Sequence, residues 1–492
     1  AGVPESTVPQ DPDSTPPVSS SPTSGAPASM DAAGPTVAAP VGIVPGTADA
    51  ATIEGPITTG TISPPADPRG VDLASVGYEQ AEYFASGTAR SFTLDGPMSL
   101  DGMWAASPAG SAPYRTRLVI RRPADPTRFS GTVVVEWLNV TLVEASPDWA
   151  YTHPALIDDG AVWVGVSAQA LGVNGGTAML STGGGDAQPA SGLVGGNPER
   201  YGSLVHPGDA FAFDLFAQIA AAFRPGATSP VLGLDGVEQV IAAGESQSAA
   251  FLTTYVNAVW PLRGTFDGFF IHSRGAGATT LDGTPTFADP SVIAHIRGDV
   301  GVPVLMFETE TDVGPLLAFG RARQPDTDLI RTWEVPGTAH ADSYLAGPNG
   351  FGCPSPVNSG PQHYVATAAM AALLAWVRTG APPSAAEPIR TEEGDPTAIV
   401  RDAAGNALGG IRTPSLDAPT ATLRGDGATG GVLCSLFGTT VPFDAATLAR
   451  LYPNAGDYLA RFDASLDAAV AAGFVRSADR DAYAAEARVV SW

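Results

Sequence analysis

Residues 237–256 read VEQVIAAGESQSAAFLTTYV. A continuous apolar run, Val237–Ala243, enters Gly244-Glu245-Ser246-Gln247-Ser248. It leaves as a second apolar run whose pattern predicts a helix over Gln247–Val259. Strand, tight turn and helix in that order are the setting of a nucleophile elbow, where a sharp bend holds one residue in a strained conformation at the rim of a sheet. Small residues two before and two after the bend relieve crowding between strand and helix. Gly244 fits; Ser248 stands where a second glycine is commoner, and serine is small enough. Ser246 is therefore the candidate nucleophile. The plainer alternative is an ordinary strand-to-helix turn with a serine near a helix N-terminus.

Outward from this segment, further short apolar runs recur, bounded by Gly, Pro and Asp. They are Arg117–Arg121, Gly131–Leu138, Ala161–Ser167, Gly268–His272, Pro303–Glu308 and Ile330–Val335. Continuous rather than alternating runs predict strands covered on both faces, as in a parallel sheet. Helical patterns lie between them, at Ala210–Phe223 with Asp209 as N-cap, and at Tyr364–Arg378. The fold class expected is α/β, a mostly parallel central sheet flanked by helices. The Gly-rich stretch Gly175–Gly196 reads as a surface excursion near the site's rim. Toward the C-terminus, Ile399–Gly410 predicts a hairpin. Tyr458, Phe462, Leu466 and Val470 share one helix face that ends at Gly473, and Ser477 is expected to cap a last helix.

A serine hydroxyl needs a base, and of six histidines only His272, His295, His340 and His363 follow Ser246. Elbow enzymes place serine, acid and histidine in that chain order. His340 sits in a loop just beyond the last core strand and is the expected base. His272 ends the next strand and reads as structural, His295 as a helix-surface residue, and His363 as the start of a long helix. The segment VPVLMFETETDVG, Val302–Gly314, offers Glu308, Glu310 and Asp312 as acids. Asp312 lies a few residues past the strand and is the expected orienter of the imidazole, with Glu310 the competitor. Oxyanion donors are expected from the Gln247 N–H and from the backbone near Asn139 or Val140, with Asn139 taken as the candidate.

The 492 residues carry 25 basic and 50 acidic side chains, a formal charge of −25. That balance argues against nucleic acid, whose phosphates need basic patches, and against an anionic membrane surface. Every basic residue is arginine, which with the Ala, Gly and Pro content reads as GC-rich coding of the actinobacterial kind. Residues 1–66 are rich in Pro, Ser, Thr, Ala and Gly and are expected as a disordered linker, with one domain over 67–492 and a C-terminal extension from about 388. No apolar run is long enough to span a bilayer. The two cysteines, Cys353 and Cys434, form either one disulfide or two buried thiols; the disulfide suits an exported protein whose signal peptide is already absent. No zinc-ligand spacing or dinucleotide fingerprint is present, so no metal or cofactor is expected.

Several stretches together resemble the alpha/beta hydrolase domain family of uncharacterised bacterial esterase-like proteins: GYEQAEYFASGTA, VVVEWLNV, RYGSLVHPGDAF, AAGESQSA, VPVLMFETETDV, GTAHAD, NSGPQHY, GGIRTPSLDAPTATL and VPFDAATLARLYP. The resemblance covers the chain from about residue 72 onward. It implies an α/β-hydrolase fold with a Ser–Asp/Glu–His triad, which on this chain falls at Ser246, Asp312 or Glu310, and His340. The expected function is a serine esterase cleaving small-molecule or polymer-borne carboxylic esters. An acyltransferase on the same triad, or a non-catalytic binding protein on the same scaffold, are the alternatives.

Overall fold

Nine strands form one twisted sheet in the computed structural model, which describes residues 47–489 except 68, 181–188, 225–226, 228–232, 234–235 and 286–291. In chain order they are β1 (Thr52–Glu54), β2 (Tyr78–Leu94), β3 (Ala106–Pro123), β4 (Thr132–Trp137), β5 (Val162–Val166), β6 (Gln239–Glu245), β7 (Gly268–His272), β8 (Val304–Thr309) and β9 (Ile330–Val335). Their spatial order is 1-2-3-5-4-6-7-8-9. Strands β1, β2 and β3 pair antiparallel, as do β3 and β5, and every pairing from β5 to β9 is parallel.

The continuous apolar runs have the expected cause. In β4, Val133, Val135 and Trp137 face one core and Val134 faces the other; in β6, Val240 and Ala242 oppose Ile241 and Ala243. Helices α1 (Pro147–Asp159) and α6 (Gln362–Thr379) cover one face. Helices α2 (Ala212–Ala221) and α3 (Gln247–Thr254) cover the other. Short helices α4 (Glu310–Val313) and α5 (Ser343–Ala346) follow β8 and β9, and α7 (Ala455–Ala471) and α8 (Arg480–Ala487) close the chain. Tyr458, Phe462 and Leu466 are buried along α7 as their spacing predicts.

The structure differs from the sequence reading in places, each with a physical reason. Strand β3 is 18 residues long, reaching well before the expected Arg117–Arg121 run, and includes Pro108 and Pro113. Only Leu118–Arg121 pair with β5, so both prolines lie where β3 has a single ladder partner, β2, and a missing N–H is tolerated. Asp209 is not a helix cap: Asp209–Phe211 form a 3-10 turn, and the carboxylate accepts the Ala170 N–H instead. His295 lies in a half-buried loop rather than on a helix. Ser477 lies inside a 3-10 turn preceding α8. The hairpin expected over Ile399–Gly410 is a short one, an antiparallel bridge between Arg401 and Ala407 with the Asp402 N–H donating to the Asn406 carbonyl and the Leu408 N–H to the Val400 carbonyl, and a further pair, Thr391–Glu392 with Asp395–Ile399, precedes it.

Of the stretch expected as a linker, residues 1–46 lie outside the described residues. Residues 52–66 belong to the sheet and its border. Strand β1 pairs with Phe84–Ser86 of β2. Beyond it, the buried Arg200 guanidinium donates to the carbonyls of Ile57, Thr59 and Gly60, and buried Arg117 donates to the Ser63 carbonyl. Ala66 then bridges Ala145. Composition does not reveal such a segment, because beyond Ile53, Glu54 and Ile57 its partners mostly take its carbonyls.

Candidate active site

Strand β6 runs into the bend at Ser246, whose φ of 61° and ψ of −117° lie outside the ordinary regions for a non-glycine residue. Such a conformation costs about 1–3 kcal/mol and persists only when its surroundings hold it. They do so here: the Ser246 N–H donates to the His272 carbonyl at 2.8 Å, and the Ser246 carbonyl accepts from Ala250 in α3. A Cβ on Gly244 would stand 3.0 Å from Leu252 Cδ1 and 3.1 Å from Ser248 Cβ, so strand and helix approach too closely for a larger residue. Ser246 itself is half-buried.

His340 reaches this point from the turn after β9. Gly337 makes the turn at φ 74°, and the His340 N–H donates to Thr311 Oγ1 at 3.2 Å. Its Nε2 lies 2.7 Å from Ser246 Oγ and its Nδ1 lies 2.6 Å from Asp312 Oδ1. Asp312 is held by a capping box on α4: its Oδ2 accepts from the Thr309 N–H at 2.6 Å and the Thr309 hydroxyl at 2.7 Å, leaving Oδ1 for the imidazole. Burial pushes the imidazole pKa down, but the charge and hydrogen bond of Asp312 and the charge of Glu245 outweigh it, and the net shift is upward from 6.5. Ser246, His340 and Asp312 are therefore brought together in one hydrogen-bonded line.

An alpha/beta hydrolase domain model matches residues 53–485. The chain belongs to this family. The α/β-hydrolase fold agrees with the sheet order and flanking helices described above. Solved structures similar to this chain include an α/β serine hydrolase without lid from Xanthomonas campestris, at 12% identity over 53% of this chain and 86% of that one, TM-score 0.27. Others are a cold-adapted esterase from an Arctic intertidal metagenomic library (12%, 54% and 91%, TM-score 0.29) and Est1E from Butyrivibrio proteoclasticus (9%, 59% and 100%, TM-score 0.30). No curated protein matches significantly.

The other candidates sit elsewhere in this α/β-hydrolase. Glu310 turns away from His340: its oxygens accept from the Gly337 N–H at 2.8 Å and the Gly425 N–H at 3.0 Å, and it pairs with Arg401 at 2.7 Å. Glu308 is buried within β8. His272 is buried between Asp148, 2.8 Å from Nδ1, and Gln362, and desolvation lowers its pKa to about 4. His363 opens α6 at its second residue and stacks on Tyr344.

Gln247 is the first residue of α3, so its N–H has no intrahelical acceptor and opens beside Ser246. Asn139 is a correction. Its N–H donates to the Ala145 carbonyl at 3.0 Å, and its side-chain amide donates to the Glu245 carbonyl and to Glu245 Oε2, each at 3.1 Å. A bridge across the loop's base consumes the donor that composition alone left open. The next N–H, from Val140, donates to Gln247 Oε1 at 3.4 Å.

Two acidic residues were not among the sequence candidates. Glu136, inside β4, accepts the N–H groups of Asp148 and Trp149 at the start of α1 and the Trp163 indole N–H. Glu245 lies against His340, with Oε1 3.5 Å from Nε2. The available signal was a carboxylate within an otherwise apolar strand, which is rare without a partner.

Proposed function

We propose that the protein is a serine hydrolase acting on carboxylic esters. The observation that carries this reading is the line Ser246 Oγ, His340, Asp312, with contacts of 2.7 and 2.6 Å. Ser246 Oγ attacks the ester carbonyl as its proton passes to His340 Nε2. Asp312 keeps the Nδ1–H tautomer and stabilises the imidazolium. The Gln247 N–H receives the oxyanion, joined by the Val140 N–H once the Gln247 side chain that accepts it at 3.4 Å swings aside, and each such donor contributes about 3–4 kcal/mol to the transition state. His340 then protonates the departing alcohol, and water, activated by the same nitrogen, releases the acid from the acyl-serine. The substrate is a small or polymer-borne ester. Among the described residues no helix is long and apolar enough to cross a membrane, and the Cys353–Cys434 disulfide favours an exported protein.

Labelling with a fluorophosphonate probe tests the reading. The folded protein is expected to label once, and Ser246→Ala to lose both label and ester hydrolysis. A folded protein that takes no label would refute it.

A further inference from the structure

Glu245 is buried at the end of β6, next to Ser246. Its two carboxyl oxygens face different parts of the site. Oε2 accepts from the Asn139 amide at 3.1 Å, and Asn139 Oδ1 accepts the Thr141 N–H at 2.8 Å, so this oxygen carries the turn that presents Val140. Oε1 stands 3.5 Å from His340 Nε2, the nitrogen that also meets Ser246 Oγ. We infer that Glu245 is a positioning residue for the serine–histidine pair, tying the imidazole to the Val140 loop and supporting the imidazolium from its Nε2 side. This inference rests on the serine-hydrolase reading.

The electrostatics fit the geometry. The groups facing Glu245 are His340 from the turn after β9, His272 from β7, Asp148 and Tyr151 from α1, and Asp312 from α4. Burial dominates and lifts the Glu245 carboxyl to about 7; the nearby His340 favours its charge, while Asp148 and Asp312 oppose it. A neutral carboxyl is compatible with Nε2 accepting the serine proton. An ionised one attracts the imidazolium that forms once the proton has moved, so Glu245 raises the basicity of His340 while the proton itself travels only from Ser246 Oγ to Nε2.

Glu245→Gln keeps an oxygen for Asn139 and removes the charge. NMR titration of the His340 ring is expected to show its midpoint falling by about half a pH unit or more in this variant. The acid limb of kcat should move with it, plateau kcat should drop about tenfold, and KM should stay within about twofold. In the wild type the same ring signals should carry a second inflection from Glu245, because two groups this close titrate together. A His340 midpoint and kcat profile unchanged by Glu245→Gln overturn the inference; so does a single-step wild-type titration, which is decisive even if the variant does not fold. Failure of the hydrolase reading is distinguished by the wild type taking no fluorophosphonate.

Discussion

At the scale of single residues, Asp312 and Glu310 stand two positions apart with different attachments. Asp312→Asn is expected to lower kcat by about 10³–10⁴-fold, because the amide favours the wrong imidazole tautomer. Glu310→Gln should leave kcat within about tenfold and act on stability, since its oxygens hold Gly337, Gly425 and Arg401. Steady-state kinetics of the two variants beside urea melts separates these roles. The base must be neutral to act, and His340 is shifted upward, so kcat/KM should rise with pH along a limb centred above 6.5. Ser248 offers a test of packing alone. Its hydroxyl is buried without a hydrogen-bond partner, so Ser248→Ala should be neutral or stabilising by about 1 kcal/mol, read as an unchanged or higher urea midpoint.

At the scale of elements, the elbow depends on the contact between β6 and α3. Gly244→Val should cost about 1–3 kcal/mol of stability and most of the activity, because a side chain there meets Ser248 and Leu252 within 3.1 Å. This part of the fold was legible: a strand, a serine between small residues and a helix are all local features. The neighbours that the fold brings to Ser246, His340 and Asp312, were legible as well, because both lie just past apolar runs. Which of Asn139 and Val140 keeps its N–H toward the site was not legible, because the bridge from Asn139 to Ala145 depends on a loop closing on itself. Glu245 and Glu136 also escaped, since their partners come from separate strands, loops and helix ends. The outer half of β3 escaped because its strand character comes from pairing with β2 and not from its own residues.

At the scale of the whole molecule, two features tie distant segments to the site. The Cys353–Cys434 disulfide closes an 81-residue separation and links the chain beyond His340 to the C-terminal extension. Chain entropy puts its contribution at about 4–5 kcal/mol, so Cys353→Ser should lower the melting temperature, checked by calorimetry with and without reductant. The second feature is pH. Glu245 and Asp342 have folded-state values raised to about 7 from 4.5 and 3.8, chiefly by burial. The folded state then holds more protons than the unfolded one between those values. Their contribution is full below the ordinary carboxylate range and is lost as pH rises through about 7. Asp342→Asn keeps an acceptor for the Tyr344 and Leu345 N–H groups and should flatten that decline, measured by urea unfolding across this window.

Arg117 is shared between Ser63, Glu82 and Glu144, and Glu144 belongs to the loop that presents Val140. A protease nick between Ile57 and Ser63 would thus slacken the loop that carries Val140 while the nine-stranded frame still stood. In a limited-digestion time course, turnover should vanish ahead of the circular-dichroism signal. The proline-rich border would then be recognised as part of the catalytic apparatus and not as packaging around it.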